Sequence, residues 1–242
     1  MLVMSTIAHA ALLAAQTVTT PAKTYSVCQR YTDPPLEGCP SGTLYVSNSD
    51  PRAKYKSIQS AIKDLPNDTS SRFILVGSGI YTEQLNVTRA GPLTLLGQSE
   101  NPWSGVSYSN VSYGTAAAND VQVFHNAAND KSRYPDNVYT GVITIGPTLN
   151  ATQTGAGPMG WPVPPNTPLG CSDFRAYNID FRNELHPYSA GPAHAMGAGY
   201  ANAGFYSCGF YSYQDTVCLS LMLHDSADCV DLCRQASQRR HV

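Results

Sequence analysis

The sequence has few charged side chains and no large excess of either sign. Only 13% of its 242 residues are Asp, Glu, Lys or Arg, and the formal net charge is -2 at pH 7. Proteins that bind nucleic acid or anionic membranes through their net charge carry a clear excess of Lys and Arg, so neither partner is predicted. Long helices with charged outer faces are also disfavoured, because they need many such residues.

The sequence lacks a hydrophobic run long enough to cross a bilayer. The apolar stretch from Leu2 to Ala15 is shorter than the roughly 20 residues of a spanning helix. It ends in small residues and is followed by polar Thr, Gln and Pro, which is typical of a signal peptide. We therefore predict a signal peptide over residues 1–17 and an extracellular or cell-wall location; a buried N-terminal helix is the alternative. N-x-S/T sequons, which agree with a secreted glycoprotein, occur at Asn67, Asn86, Asn110 and Asn150.

No C-x-x-C pair of the kind that holds zinc occurs among the seven cysteines. Neither a metal site nor any cofactor is predicted. The cysteine content fits an oxidising compartment, and Cys28 and Cys39 lie close enough in sequence to close a short loop. The odd number leaves at least one thiol without an intramolecular partner.

Turn-forming and aromatic residues are abundant instead: the chain has 19 Gly, 17 Pro and 15 Tyr. One segment, "YKSIQSAIKDLP", predicts a short helix, because Ile58, Ala61, Ile62 and Leu65 share one face and Pro66 ends the pattern. The length suits one domain with one core.

Short apolar runs between turn residues predict an all-β fold. Several of these runs do not alternate strictly, which suits strands covered on both faces. Residues 99–135 and 146–170 are predicted to be long loops, and no strict repeat is visible, so a β-sandwich and a β-solenoid remain equally compatible with the pattern. The predicted strand segments are "RFILVGSG", "GIYTEQLNV", "GPLTLLGQ", "NVYTGVITIG", "DFRAYNIDFRN" and "AGFYSCGFYSY".

Four segments, taken in order, resemble the pectin methylesterases, carbohydrate esterases that demethylate pectin, and most closely their fungal members. The segment "YKSIQSAIKDLP" is similar to the family's N-terminal capping helix and "GIYTEQLNV" to its Gly-x-Tyr-x-Glu strand. Further along, "DFRAYNIDFRNE" is similar to its central strand and "FYSYQDT" to its Gln-Asp-Thr strand. The resemblance covers residues 43–217 and implies a right-handed parallel β-helix with a short N-terminal capping helix, acting as a monomer on pectin.

The same resemblance implies roles for particular residues. Asp215 stands at the position of the general acid/base, and Gln214 at that of an oxyanion-hole amide. His194, in "PAHAMGA", stands where the family has a second oxyanion glutamine, although a surface or packed histidine is an equal alternative. Since neighbouring strand residues point to opposite faces, a side-by-side pair of Gln214 and Asp215 predicts a break in the strand; the alternative is that only one of them faces the substrate. Aromatic side chains available to sugar rings are Tyr188, Tyr211 and Tyr213, for which packing is the alternative.

Two expected segments are missing from the sequence. The family's nucleophile is an Asp in an Asp-Phe-Ile-Phe-Gly type segment, and a supporting Arg comes from a Leu-Gly-Arg-Pro-Trp segment; neither occurs here. Residues 218–242 have no strand rhythm and no likeness to the family, so we expect an incomplete β-helix over 18–217 followed by an unrelated tail. A truncated or mis-spliced chain would produce this pattern.

The sequence is therefore compatible with three functions. The first is hydrolysis of pectin methyl esters with release of methanol. The second is pectin binding by a chain without a nucleophile, or no activity. The third is a pectate lyase, which is disfavoured because no acidic cluster suited to Ca²⁺ precedes residue 217.

Overall fold

The computed structural model describes residues 25–102, 118–130, 133–153, 166–185, 191–220 and 227–230. The predicted signal peptide, Asn110 and Tyr188 lie outside these ranges. In the described part of the chain, no helix is both long and apolar enough to cross a membrane.

The fold is a right-handed parallel β-helix whose strands stack in three sheets. Its strands are β1 (Leu44–Val46), β2 (Arg72–Val76), β3 (Gly79–Thr82), β4 (Leu85–Val87), β5 (Leu93–Gly97), β6 (Val121–Phe124), β7 (Ile143–Ile145), β8 (Phe174–Tyr177), β9 (Ile179–Arg182), β10 (Met196–Gly199), β11 (Ala203–Tyr206), β12 (Gly209–Tyr211), β13 (Val217–Ser220) and β14 (Ala227–Val230). Sheet A has the order β1-β2-β5-β8-β11, sheet B β3-β6-β9-β12 and sheet C β4-β7-β10-β13-β14. Each complete coil contributes one strand to each sheet.

The pairing pattern decides between the two all-β architectures that the sequence left open. In sheet B, β3 pairs in parallel with β6, β6 with β9, and β9 with β12, so each strand's neighbours lie one coil away. A sandwich is built mainly from antiparallel strands. The β-helix prediction is confirmed and the sandwich is excluded.

The predicted helix is confirmed as α1 (Ile58–Asp64). The Ser57 side chain accepts a hydrogen bond from the backbone N–H of Ser60 and caps its first turn. The stripe of Ile58, Ala61 and Ile62 is buried against the first coils, and the helix ends before Pro66 as expected.

The Gly-x-Tyr-x-Glu residues join α1 to the second coil. The Glu83 carboxylate accepts hydrogen bonds from the backbone N–H groups of Ile58 and Gln59, each at 2.8 Å, and so satisfies donors that a helix start leaves unpaired. The Tyr81 hydroxyl donates to the Gly77 carbonyl at 2.8 Å. The segment predicted as one strand is split at Glu83 into β3 and β4 because this side chain turns back to the helix.

Stacked apolar side chains fill the interior. In sheet C, Leu85, Ile143, Met196 and Val217 lie at equivalent positions of four successive coils, and all four are buried. Burying each side chain of this size contributes about 1.5–3 kcal/mol. The coils therefore stabilise one another through these columns.

Two loop and strand predictions are wrong in part. The predicted loop 99–135 contains β6, which has only two inward apolar residues, Val121 and Val123, and gains its strand form by pairing with β3 and β9. In the predicted strand "NVYTGVITIG", residues Asn137–Thr140 form a 3-10 turn capped by the Asp136 side chain. Only Ile143–Ile145 is extended.

Strand structure continues beyond Val217, although the sequence there has no strand rhythm. Strand β13 pairs in parallel with β10, and β14 pairs antiparallel with β13. Pairing with an existing sheet edge satisfies the backbone hydrogen bonds of this segment, so it can form a strand without an alternating apolar pattern.

The predicted N-terminal disulfide is confirmed. Cys28 and Cys39 are bonded, 11 residues apart. Cys171 is a buried free thiol and Cys208 a half-buried one. The disulfide fixes the loop that packs on the outer face of the first coils.

Candidate functional site

The segment between β12 and β13 carries the two predicted catalytic neighbours. Strand β12 ends at Tyr211 and β13 begins at Val217. Asp215 has φ +56°, in the left-handed region that Asp adopts more readily than most residues. The predicted break is confirmed. Gln214 is exposed and Asp215 half-buried, so neither side chain belongs to the apolar interior.

Hydrogen bonds fasten this segment to the chain entering β10. The Ser212 hydroxyl donates to the carbonyl of Ala193. The backbone N–H of Ala193 in turn donates to the Gln214 carbonyl at 3.1 Å. The N–H of Ala195 donates to the Thr216 carbonyl at 2.9 Å. The backbone around the candidate catalytic residues is therefore held from both ends.

A buried asparagine, Asn183, forms hydrogen bonds to the backbone in the same region. Its side-chain nitrogen donates to the carbonyls of Ala127 (2.8 Å), Thr140 (3.0 Å) and His194 (3.1 Å), and its oxygen accepts from the Ala127 N–H at 3.1 Å. Asn183 is fully buried. One amide thus ties together three chain segments beside the site. Asn183 was not predicted as a site residue; the signal in the sequence is an asparagine two residues after the buried run "IDF".

His194 is enclosed in the solenoid instead of facing solvent. The residue has 0% exposure, and neither ring nitrogen has a hydrogen-bond partner among the residues that the structure describes. Its backbone N–H donates to the Thr140 hydroxyl at 2.9 Å. Burial lowers the pKa of His194 to about 4, a shift that the nearby Asp136 carboxylate opposes only in part. The structure does not bring this ring to the surface where Gln214 is exposed.

The predicted sugar-contacting tyrosines differ in their surroundings. The Arg182 guanidinium lies 4.1 Å from the ring centroid of half-buried Tyr211, and its Nε donates to the Glu184 carboxylate at 2.7 Å. This cation-π contact gives Tyr211 a packing role on sheet B. Tyr213 is half-buried within the interrupted segment.

Two solved structures of pectin methylesterases are similar to this chain. A pectin methylesterase from Aspergillus niger, in a form with an N-acetylglucosamine stub, is 27% identical to the chain with a TM-score of 0.50; the match covers 74% of this chain and 46% of that one. The coils match those of pectin methylesterases. A pectin methylesterase in complex with a hexasaccharide is 19% identical with a TM-score of 0.51, covering 73% of this chain and 45% of that one.

The match to pectin methylesterases is limited to part of their length. The chain spans less than half of either solved structure. No protein-family model and no curated protein sequence matches it. The similarity with the hexasaccharide complex supports the fold alone, whereas the Aspergillus niger enzyme also shares more than a quarter of its aligned residues.

Potential metal ligands do not cluster in the described part of this pectin methylesterase-like fold. No group of three or more His, Cys, Asp or Glu side chains that could hold an ion occurs there. The chemistry available around Gln214 and Asp215 is that of a carboxyl group, an amide and backbone N–H groups.

The burial of His194 predicts a loss of stability in acid. Its folded pKa of about 4 lies below the ordinary 6.5, so between these values the unfolded chain binds the proton more readily. The contribution of neutral His194 to the free energy of unfolding is therefore fully present above about pH 6.5. It is lost as the pH drops toward 4, by roughly 3 kcal/mol at most. Urea unfolding at pH 7 and pH 4.5 should show this loss, and His194→Leu should remove most of it.

The matched control is His125→Leu. His125 is only half-buried, and burial lowers its pKa too, so its replacement should leave most of the acid sensitivity in place. If the stability of His194→Leu depended on pH as strongly as that of the original protein, burial of His194 would not be the cause of the acid sensitivity.

Proposed function

We propose that the chain is a secreted, metal-independent esterase that hydrolyses methyl esters of pectin and releases methanol. The observation that carries the proposal is the interrupted segment before β13, where Asp215 adopts φ +56° and Gln214 is exposed. A backbone held away from regular strand geometry is common at active sites. The likeness to the Aspergillus niger pectin methylesterase supports the choice of substrate.

Asp215 is the proposed general acid/base. Attack of a nucleophile on the ester carbonyl carbon forms a tetrahedral intermediate, and its collapse breaks the bond to the methoxy oxygen and leaves the acyl group on the nucleophile. Asp215 donates its proton to that oxygen, so that methanol leaves, and then takes a proton from the water that attacks the acyl group, releasing the carboxylic acid and the nucleophile. An acid role requires a protonated carboxyl group at the start of each cycle.

Gln214 is the proposed oxyanion donor. Its exposed side-chain N–H groups are available to the carbonyl oxygen as negative charge develops there. The hydrogen bonds of Ala193 and Ala195 to this segment limit its motion, and such preorganisation is what makes an oxyanion donor effective. His194 remains a weaker proposal for the second donor, because its ring is enclosed.

The nucleophile is not assigned to a residue of this chain. In the resembling family it comes from an Asp segment that the sequence does not contain. Pectin binding without turnover is therefore the second candidate function, and the enclosure of His194 favours it, because Gln214 is then the one accessible donor of the two proposed for the oxyanion.

Methanol release from highly methylated pectin tests the proposal and separates the candidates. The purified chain is assayed with and without a calcium chelator, beside a heat-inactivated sample. Release that the chelator does not affect is expected. Binding of pectin without methanol would favour the second candidate, and an unsaturated product that requires calcium would indicate a lyase.

A further inference from the structure

A polar cavity of about 320 Å³ lies on the outer face of the first coils, where three strands of sheet A end. Ser47 follows β1, Ser78 comes soon after β2, and Gln98 follows β5; all three line it. Tyr31, in the loop that begins beside the Cys28–Cys39 disulfide, also lines it. None of the proposed catalytic residues contributes to this cavity, which lies among earlier coils than β12 and β13.

Gln98 gives the cavity an unused hydrogen-bonding group. The residue is 5% exposed, and its backbone N–H donates to the Val76 carbonyl at 2.8 Å. Its side-chain amide makes no hydrogen bond within the part of the chain that the structure describes. Because this amide lines the cavity, a ligand that offers both a donor and an acceptor could pair with it.

Two tyrosines supply apolar ring surface beside fixed hydroxyl groups. The Tyr31 hydroxyl donates to the Asp120 carboxylate at 3.1 Å, and the Tyr45 hydroxyl donates to Asp50 at 3.2 Å. Tyr31 is 45% exposed, which leaves ring surface for a ligand. Aromatic surface next to hydroxyl and amide groups suits a molecule with apolar C–H faces and hydroxyl edges, as a pyranose ring has.

The local charges disfavour an anionic ligand. Arg52 is the cation lining the cavity, and it is already paired with Asp50 (Nη2 to Oδ2, 2.8 Å) and Asp33 (Nη1 to Oδ1, 2.6 Å). The charged groups that contact or act on the lining residues are Asp33, Asp50, Glu100, Asp120, Arg52 and Lys56. Their negative excess would repel the carboxylate of a free uronate.

We propose that this cavity binds one neutral pyranose residue, such as a methyl-esterified uronate of pectin, at a distance from the catalytic segment. The inference rests on the proposed function for the choice of sugar. The cavity volume is at the lower end of small-ligand sites, which fits a single ring. Such a site would hold esterified stretches of the polymer on the chain while other stretches are processed.

The test is a titration with two probes that differ only at the carboxyl group: the methyl glycoside of galacturonic acid as its neutral methyl ester and as the charged free acid. An Asp215→Asn background prevents consumption of the ester, and binding is followed by saturation-transfer NMR and calorimetry. The ester is expected to bind about ten-fold tighter than the acid. Gln98→Leu should weaken ester binding about ten-fold, whereas Gln122→Leu, on the outer face of sheet B, should leave it unchanged.

Tyr31→Ala provides a second variant if Gln98→Leu does not fold, because Tyr31 is largely exposed. It should weaken ester binding as well. Equal affinity for the two probes, no saturable ester binding, or full affinity in both cavity variants would overturn the proposal. Failure of the proposed function is seen separately, as absent methanol release, which this titration does not measure.

Discussion

Replacing Asp215 by asparagine is expected to lower the rate of methanol release roughly 10²–10⁴-fold. Asparagine keeps the size of the side chain and tolerates φ +56° about as well as aspartate, so the backbone break should persist. It cannot donate a carboxylic proton to the leaving methanol or take one from water. The measurement is the initial rate on highly methylated pectin at several pH values, with circular dichroism to establish that the fold is retained.

Asp130→Asn is the matched control for this substitution. Asp130 is also a carboxylate in a loop, but it is exposed and lies before the 3-10 turn at Asn137–Thr140. Its replacement should leave the rate within about two-fold of the original, as is usual for an exposed side chain without a special role. Equal losses in both variants, or no loss in Asp215→Asn, would remove Asp215 from the mechanism.

Replacing Asn183 by leucine is expected to destabilise the protein by roughly 4 kcal/mol or more. Leucine has the same branching at Cγ but is larger and has no polar atoms, so the carbonyls of Ala127, Thr140 and His194 would lose their shared donor inside the solenoid. Each buried polar group left without a partner costs about 1–3 kcal/mol. That sum approaches the whole stability of a typical domain. Urea or thermal unfolding measures it directly.

Asn202→Leu is the control for Asn183→Leu. The Asn202 amide donates one hydrogen bond, to the Ser172 carbonyl at 2.9 Å, and the residue is exposed. Water can replace that bond, so a loss below about 1 kcal/mol is expected. A similarly small loss in Asn183→Leu would mean that the three segments are held together by other contacts.

The sequence predicted those parts of the fold that rest on local pattern. The stripe of Ile58, Ala61 and Ile62 predicted α1, and apolar runs such as "RFILV" predicted strands, because these features lie within one element. The choice of a β-helix came from the resemblance. Strand β6 was missed because Val121 and Val123 are its only inward apolar residues, and its extended form depends on neighbouring coils.

The candidate site was predicted less completely, for a related reason. The adjacency of Gln214 and Asp215 was enough to predict a break in the strand. The enclosure of His194 depends on contacts with segments more than 50 residues away, such as Thr140, which no local pattern shows. The role of Asn183 likewise comes from segments that are distant in sequence and adjacent only once the coils have stacked.

Strand β14 occupies the position on sheet C that the strand of a further coil would take, and it runs antiparallel to β13. Sheets A and B have β11 and β12 at the same end, each paired in the described structure on one side. Within the described residues, the three sheets therefore differ at this end: β11 and β12 each have one edge without a paired strand, whereas β13 is already paired with β14. Extension of all three sheets at this end would have to proceed by strand displacement, with β14 leaving as the new strand pairs with β13.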